Sequence, residues 1–390
     1  MAHYLDNAAT TKPSDPAMNA AREAMEVWGN PSSVHGMGLT AKELLKKSRR
    51  QVEKTLGMAN FSKDLLIFTS CGTEANSIAM TGCARAKKRN PENPGTIVIS
   101  AGEHPSMDEP AKALEKEGYT TIRVPTAEGK LDLDFLADAL ENAVSPVIFA
   151  GFMLVNNETG ALYDVKSAAS LVKRKFPDAV VHCDAVQGYM KTKFNPKTLG
   201  VDTLTLSAHK IHSIRGAGAL WISAEVIKRK NIVPVMPGGG QENGFRSGTE
   251  NLVSIAAFGA AAEEEFANLD ANLAKVKELR TYLNERLSSL DVKIKQPVSG
   301  VDHIANITLP NIRSETMLNY LSAREVYVSA GSACAANSKK KSAALESFGA
   351  AQNDIDSSIR ISLSHTNTKE DIDALIDGLA GGIAELQRKR

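Results

Sequence analysis

Lys210 closes the sequence LSAHK (206–210), directly after the apolar and β-branched run DTLTLSA (202–208), so an amine stands at or just past the end of a strand. Asp184 ends a second such run, AVVHCD (179–184), and an acid at the end of a buried strand requires a cation or hydrogen-bond donors. A lysine on one strand end and a carboxylate on another are the pair that pyridoxal phosphate needs. The lysine bonds the aldehyde, and the acid keeps the pyridine nitrogen protonated so that the ring draws electrons. Taken singly, a loop lysine is usually a solvated charge, and Asp184 reads equally as one half of a buried salt bridge. The phosphate needs an anchor, and FTSCGTEAN (68–76) supplies a strand, a small turn and a helix beginning near Thr73. A helix start offers free N–H groups and a favourable dipole to a dianion, although the same residues also suit an ordinary helix cap.

Cys334 lies in SAGSACAANSKKK (329–341), whose Gly, Ser, Ala and Lys content is that of an exposed loop rather than a packed core. A free thiol, with a reference pKa of about 8.5, is mostly protonated at neutral pH, so a neighbouring cation or base is needed to make it a nucleophile. Lys339 to Lys341 and His104 are the candidates, and the lysine run reads equally as a solvated loop tip or a docking patch. Cys71, Cys83 and Cys183 fall in a turn, an apolar helix and a strand, the settings of inert cysteines. His182, Cys183 and Asp184 are adjacent on a strand, where neighbours point to opposite faces, so they make no metal site. The glycine clusters GGGQENG (238–244) and GAGAL (216–220) lack the Lys-Ser/Thr ending of a phosphate-binding P-loop and the spacing of a dinucleotide fingerprint.

The elements that must position these groups alternate along the chain. Strand-like runs at 65–70, 96–100, 120–125, 147–155, 179–186, 202–208 and 218–223 are separated by helical patterns at 73–89, 107–118, 131–143 and 164–176. This predicts an α/β fold with a mainly parallel sheet sandwiched by helices and a ligand site at the C-terminal strand ends. A proline-free helical pattern from Asn251 to about Leu290 is expected to join this unit to a smaller α+β unit. The smaller unit has strands near 305–310, 326–331 and 358–364 and helices near 314–324 and 369–387. The expected division is a large domain over 15–258 and a small C-terminal domain over 259–390, with the segment 1–14 joining them.

With 390 residues, 43% hydrophobic and 23% charged, the composition is that of an ordinary globular protein. Lys plus Arg number 46 against 45 Asp plus Glu, so no global charge draws the chain to nucleic acid or a membrane. The longest apolar run, Val147 to Val155, is nine residues, whereas a membrane helix takes roughly 20. The N-terminus has no signal-peptide pattern and the four cysteines no disulfide spacing, so a reducing cytoplasm is the expected compartment.

The order of Thr73, Asp184 and Lys210 resembles the cysteine desulfurases of the class V aminotransferase group, which have the fold type I pyridoxal-phosphate architecture. The resemblance runs through YLDNAATT (4–11), GNPSSVH (29–35), GEHPSMDEP (102–110), NNETG (156–160), DAVQ (184–187), SAHK (207–210), RSGTEN (246–251), SAGSACAA (329–336) and SSIRISL (357–363). It implies that Lys210 holds the cofactor covalently, Asp184 pairs with the pyridine nitrogen and His104 stacks on the ring. Asn157 and Gln187 would contact the ring oxygen side. Gly72, Thr73, Ser207 and His209 would bind the phosphate, with Thr249 reaching in from the second subunit of a homodimer. Arg360, with Asn157, would bind the carboxylate of L-cysteine, a task suited to a planar guanidinium. Cys334 would take the sulfur as a persulfide, release alanine and pass the sulfur to an iron–sulfur scaffold, a tRNA-thiolation relay or another acceptor protein. No intrinsic metal is expected, though Cys334 is open to transient ligation of an iron–sulfur cluster shared with a scaffold.

Two stretches depart from that pattern. The family's Gly-Pro after the lysine is replaced in IHSIRGAGAL (211–220), and Ala330 stands for the usual second serine before Gly331. The rival readings are a selenocysteine lyase, a small-substrate aminotransferase, which has no need of Cys334, and a non-catalytic cofactor-binding partner subunit.

Overall fold

The computed structural model describes residues 2–58, 62–88, 92, 94–331 and 342–387. In chain order, β1 (His3–Tyr4) leads to α1 (Asp15–Met25), α2 (Gly36–Thr55), β2 (Leu65–Thr69), α3 (Gly72–Lys87), β3 (Thr96–Ser100), α4 (Pro105–Glu115) and β4 (Thr120–Val124). Then come α5 (Leu133–Glu141), β5 (Val147–Met153), α6 (Val165–Lys175), β6 (Val180–Asp184), α7 (Pro196–Leu199), β7 (Thr203–Ser207), β8 (Gly218–Ile222) and α8 (Ala224–Lys228). The remainder comprises α9 (Leu252–Ala267), α10 (Leu269–Leu287), β9 (Lys293–Lys295), β10 (Ile304–Thr308), α11 (Ser314–Ser322), β11 (Val326–Tyr327), β12 (Ser329–Ala330), α12 (Ala343–Phe348), α13 (Gln352–Asp356), β13 (Ser358–Ser362) and α14 (Lys369–Gln387).

The large sheet has the order β2-β8-β7-β6-β5-β3-β4. Strands β4, β3, β5, β6 and β7 run parallel, and β8 is antiparallel to both β7 and β2. Strands β3 and β5 to β8 are buried along their whole length, which explains why they read as unbroken apolar runs rather than as alternation. Their side chains still divide between two faces. Ile67, Ile97, Ile99, Leu220 and Ile222 pack with α3 and α4, whereas Leu66, Phe68, Val98, Leu204 and Leu206 pack with α1, α2, α6 and α9. The predicted helix-covered, mainly parallel sheet is therefore present, and its C-terminal edge gathers the turns after β2, β3, β5, β6 and β7.

Three features differ from the sequence pattern. The stretch from Asn251 to Leu290 is two helices, because Asn268 leaves helical geometry (φ −105°, ψ 7°) and its side chain donates to the Glu264 carbonyl at the end of α9. The first of them, α9, packs within the large-sheet layer rather than bridging to the second unit. The run VYVSAG is split: β11 pairs in parallel with the N-terminal β1, while β12 joins an antiparallel sheet of order β12-β13-β10-β9. Helices α1 and α2, which the apolar pattern did not single out, pack through Ala17, Ala21, Ala41, Leu45 and Val52 into the same layer as α9. The small sheet buries Ile307, Ile359 and Ile361 against Leu279 and Leu283 of α10, Met317 of α11 and Leu375 of α14.

Gly218, the first residue of β8, lies against the turn that starts α3. A Cβ there would come within 2.5 Å of the Cys71 carbonyl carbon and 2.9 Å of the Gly72 nitrogen, both backbone atoms with little freedom to yield. Gly218→Ala is expected to lower stability by about 1–3 kcal/mol in urea denaturation; an unchanged midpoint would show that the turn relaxes without cost.

Candidate active site

Asp184 ends β6 at 5% exposure, and two donors hold its carboxylate. Asn76 Nδ2, from α3, donates to Oδ2 at 2.7 Å, and the Val186 N–H donates to Oδ1 at 3.0 Å. Asn76 is itself fully buried, and its Nδ2 also donates to Ser106 Oγ at 2.8 Å, while its Oδ1 lies 3.0 Å from His182 Nε2. An amide oxygen only accepts, so His182 carries its proton on Nε2. Burial pushes its pKa down to about 3, and the ring is neutral.

Ser106 continues the chain to His104, the residue that caps α4. His104 Nδ1 lies 2.8 Å from Ser106 Oγ and accepts from the Ser106 N–H at 3.1 Å. A nitrogen facing an N–H donor keeps its lone pair, so the neutral His104 ring is protonated at Nε2. Desolvation lowers the His104 pKa, partly opposed by the Asp184 charge.

Lys210 stands in a single turn after β7, its Nζ donating to the carbonyls of Ala8 and Ala9 at 2.6 and 2.8 Å. Gln187 donates to the same Ala8 carbonyl at 2.8 Å, and its Oε1 is buried without a partner among the described residues. His209 Nδ1 lies 3.1 Å from Thr10 Oγ1, and burial with the Lys210 charge lowers its pKa to about 4. The segment 8–10 therefore touches three of the predicted site residues.

Arg360 lies in the middle of β13 at 2% exposure, paired with Asn306 on one side and Ser329 on the other. Its Nη2 donates to Asp6 Oδ1 at 2.7 Å and its Nη1 to the Asn157 carbonyl at 3.0 Å, while Nε is buried without a partner among the described residues.

These groups surround one cavity of about 320 Å³. It is lined by Gly72, Thr73, His104, Asn157, Asp184, Gln187, Ser207, His209, Lys210 and Arg360, with Ala8, Ala9, Asn76 and Ser106. A Cβ at Gly72 would sit 3.0 Å from Val186 Cγ2 and 3.4 Å from Ser207 Cβ, so glycine keeps the helix start open toward the cavity. Thr249 is exposed and lies apart, in a groove with Arg246, Glu250 and Ser70. Cys334 and Lys339 to Lys341 lie outside the described residues. Cys83 and Cys183 are buried with their thiol pKa values raised by desolvation, whereas Cys71 is half-buried and borders the cavity, unlike the inert setting expected of it. Asn76, Ser106 and the Ala8 and Ala9 carbonyls were not singled out in the sequence. Asn76 and Ser106 had a faint signal, polar side chains just inside the helices that follow β2 and β3.

The model of the aminotransferase class V family matches residues 3–375, and the chain belongs to that family. It is 33% identical over 391 residues to the cysteine desulfurase NifS of Azotobacter vinelandii, an alignment covering 98% of this chain and 93% of that protein. It is 34% identical to a cysteine desulfurase of Nostoc sp., covering 96% of this chain and 91% of the relative. Among solved structures, the NifS-like protein of Rickettsia africae superposes with a TM-score of 0.87 at 32% identity, covering 98% of this chain and 99% of the other.

Glu103 gives the site a measurable pH signature. Its Oε1 accepts from Ser100 Oγ at 2.6 Å and the Met153 N–H at 2.7 Å, its Oε2 has no partner among the described residues, and burial raises its pKa to about 8. A folded-state pKa above the unfolded one means the folded chain holds the extra proton between about pH 4.5 and 8, so Glu103's stabilising contribution falls as pH rises through that window. Glu103→Gln is expected to remove up to about 1.4 kcal/mol per pH unit of that decline, read by urea denaturation from pH 5 to 8. Parallel pH profiles for parent and variant would contradict a neutral Glu103.

Proposed function

We propose that this protein is a pyridoxal-phosphate-dependent cysteine desulfurase that converts L-cysteine to L-alanine and carries the sulfur as a persulfide on Cys334. The observation that carries the reading is the single cavity bordered by Lys210, Asp184, His104 and Arg360. The residues fit the cofactor. Asp184 supplies a carboxylate for a pyridine N–H, Gln187 Oε1 is an unused buried acceptor, and the open start of α3 at Gly72 with Thr73, Ser207 and His209 suits a phosphate. When bound, the cofactor supplies an electron-withdrawing ring that acidifies the substrate's α-proton.

The chain's own groups do the rest. Asn76 fixes the Asp184 carboxylate, which would pair with the pyridine nitrogen. Lys210, whose amine is positioned by the Ala8 and Ala9 carbonyls, would hold the cofactor, and its free amine would serve as the base that takes the substrate's α-proton. His104 offers a proton at Nε2. Arg360 binds the substrate carboxylate, its bond to the neutral Asn157 carbonyl being weaker than one to an anion. The Cys334 thiolate attacks the substrate sulfur: an S–S bond forms, the C–S bond breaks with its electron pair left on the β-carbon, which takes a proton, and the proton held by Lys210 returns to the α-carbon to complete alanine. A homodimer would bring the exposed Thr249 to the phosphate side of the other subunit's cavity. An iron–sulfur scaffold or another acceptor protein would then collect the sulfur, in the cytoplasm. No helix among the described residues is long and apolar enough to cross a membrane.

Purified protein is expected to be yellow, to change its visible spectrum on addition of L-cysteine, and to release alanine and, under reductant, sulfide. Lys210→Ala should lower turnover by about 10²–10⁴-fold, and Cys334→Ala should abolish sulfide release while keeping the colour. Unchanged desulfuration in Cys334→Ala would sink the nucleophile's assignment; retained turnover of selenocysteine alone would favour a selenocysteine lyase. Arg360→Ala is expected to raise KM for L-cysteine by about 10–100-fold, the value of a hydrogen bond to a charged group.

A further inference from the structure

Lys210 also borders a second cavity of about 320 Å³, whose polar lining includes Lys191, His212, Glu265, His303 and His365. The proposed reaction uses none of these five. One nitrogen each of His212 and His365 and one carboxylate oxygen of Glu265 lie within 4.8 Å of one another. His365 Nε2 is 3.8 Å from Glu265 Oε1, and the two imidazole rings have centroids 4.7 Å apart. The residues are far apart in sequence: His212 follows Lys210 by two positions, Glu265 lies on α9, and His365 follows β13.

The remaining polar atoms of His212 and Glu265 are already committed. His212 Nδ1 donates to the Lys12 carbonyl at 2.9 Å, which leaves the lone pair on Nε2. Asn272 Nδ2 donates to Glu265 Oε2 at 3.0 Å, which leaves Oε1 toward His365. Metal-binding imidazoles and carboxylates are oriented by such outer hydrogen bonds, one ring N–H donating to a backbone carbonyl and one carboxylate oxygen accepting from an amide.

We propose that His212, Glu265 and His365 bind a divalent transition-metal ion, zinc by preference, through three protein ligands, with a fourth position open to this cavity. Two nitrogens and one carboxylate oxygen are a ligand set that zinc takes with a fourth, exchangeable ligand. Tetrahedral zinc needs its ligand atoms about 3.3 Å apart, so the cluster must draw in. His365, at 28% side-chain exposure, has room to turn. Ser364 Oγ, now 3.2 Å from His212 Nε2, has a second partner in Thr366 Oγ1 at 2.9 Å and can release the ring.

Lys191 Nζ and His303 Nε2 are buried without partners among the described residues, and both residues line the cavity. A lysine ammonium opposes a bare cation but favours an anion on it, so hydroxide or a carboxylate suits the fourth position, and bound water would donate to His303. An ion held this way ties the segment after Lys210, helix α9 and the end of the Arg360 strand into one clamp. The site does not depend on the desulfurase reading.

The test uses the full-length, cofactor-loaded protein with Cys334→Ser, which removes a competing thiol. Treated with chelator, desalted and titrated with zinc chloride by calorimetry, it should bind one zinc per chain and retain it through dialysis by elemental analysis. Its melting temperature should rise. His365→Ala in that background should weaken zinc binding by more than about 100-fold, since disturbing an outer partner alone costs 10–100-fold, and should lose the melting shift. Glu265→Gln, which preserves the shape and the acceptor for Asn272, provides the same comparison should His365→Ala fold poorly. No retained zinc in the parent, or equal affinity in the parent and a folded variant, would overturn the proposal.

Discussion

A carboxylate at 5% exposure, ending a strand buried on both faces, has to be held by donors, and Asp184 obtains one of them from the amide of Asn76. That amide is fully used: its two N–H groups serve Asp184 and Ser106, and its oxygen takes the His182 proton. The consequence travels from β6 through α3 to α4, because Ser106 in turn fixes which nitrogen of His104 bears the proton. A satisfied buried network of this kind rigidifies the elements it joins, since breaking any bond strands a polar group where water cannot replace the partner. The neutral His182 ring, stacked at 5.8 Å on Phe149, belongs to this support and not to a metal site.

A second dependence runs through the N-terminal segment. Strand β1 pairs with β11 beside the small sheet, Asp6 bridges to Ser362 and bonds Arg360, and the carbonyls of Ala8 and Ala9 receive Lys210 and Gln187. Thr11 then bonds the His209 carbonyl at 2.9 Å. Fewer than a dozen residues thus set the small sheet and the C-terminal edge of the large one against the same cavity. Backbone carbonyls suit this task because they hold an amine without a charge that would compete with Asp184.

Lys210 and Asp184 were legible in the sequence because each sits at or just beyond a strand end, where a local apolar run stops and the architecture puts ligands, whereas His104 was marked only by the family resemblance. Asn76 and Ser106 were not, because their roles depend on how α3 and α4 are rotated against the sheet, which is a product of tertiary packing. Carbonyl groups of alanines carry no side-chain signal at all. The break at Asn268 was hidden for a related reason: an asparagine in a proline-free stretch of charged and apolar residues looks like any polar helix position until its side chain is seen to cap α9. The split of residues 326–331 between two sheets was equally out of reach, since β-branched pattern indicates extended backbone and not which strand lies alongside.

Arg360 shows how these constraints meet. Its guanidinium is nearly sealed from water, so every N–H it carries must find an acceptor, yet Nε has none among the described residues and Nη1 has only the neutral Asn157 carbonyl. Asp6 holds Nη2 with a charge-assisted bond, the strongest of the set. Nε and Nη1 are thus the unmet and weakly met positions of this side chain, where an added acceptor would gain most, and Nη2 the one where displacing Asp6 would gain least. Because Asp6 belongs to the same segment whose carbonyls grip Lys210, the aim of the arginine and the placement of the lysine are set by one stretch of backbone, and a shift in either is transmitted to the other.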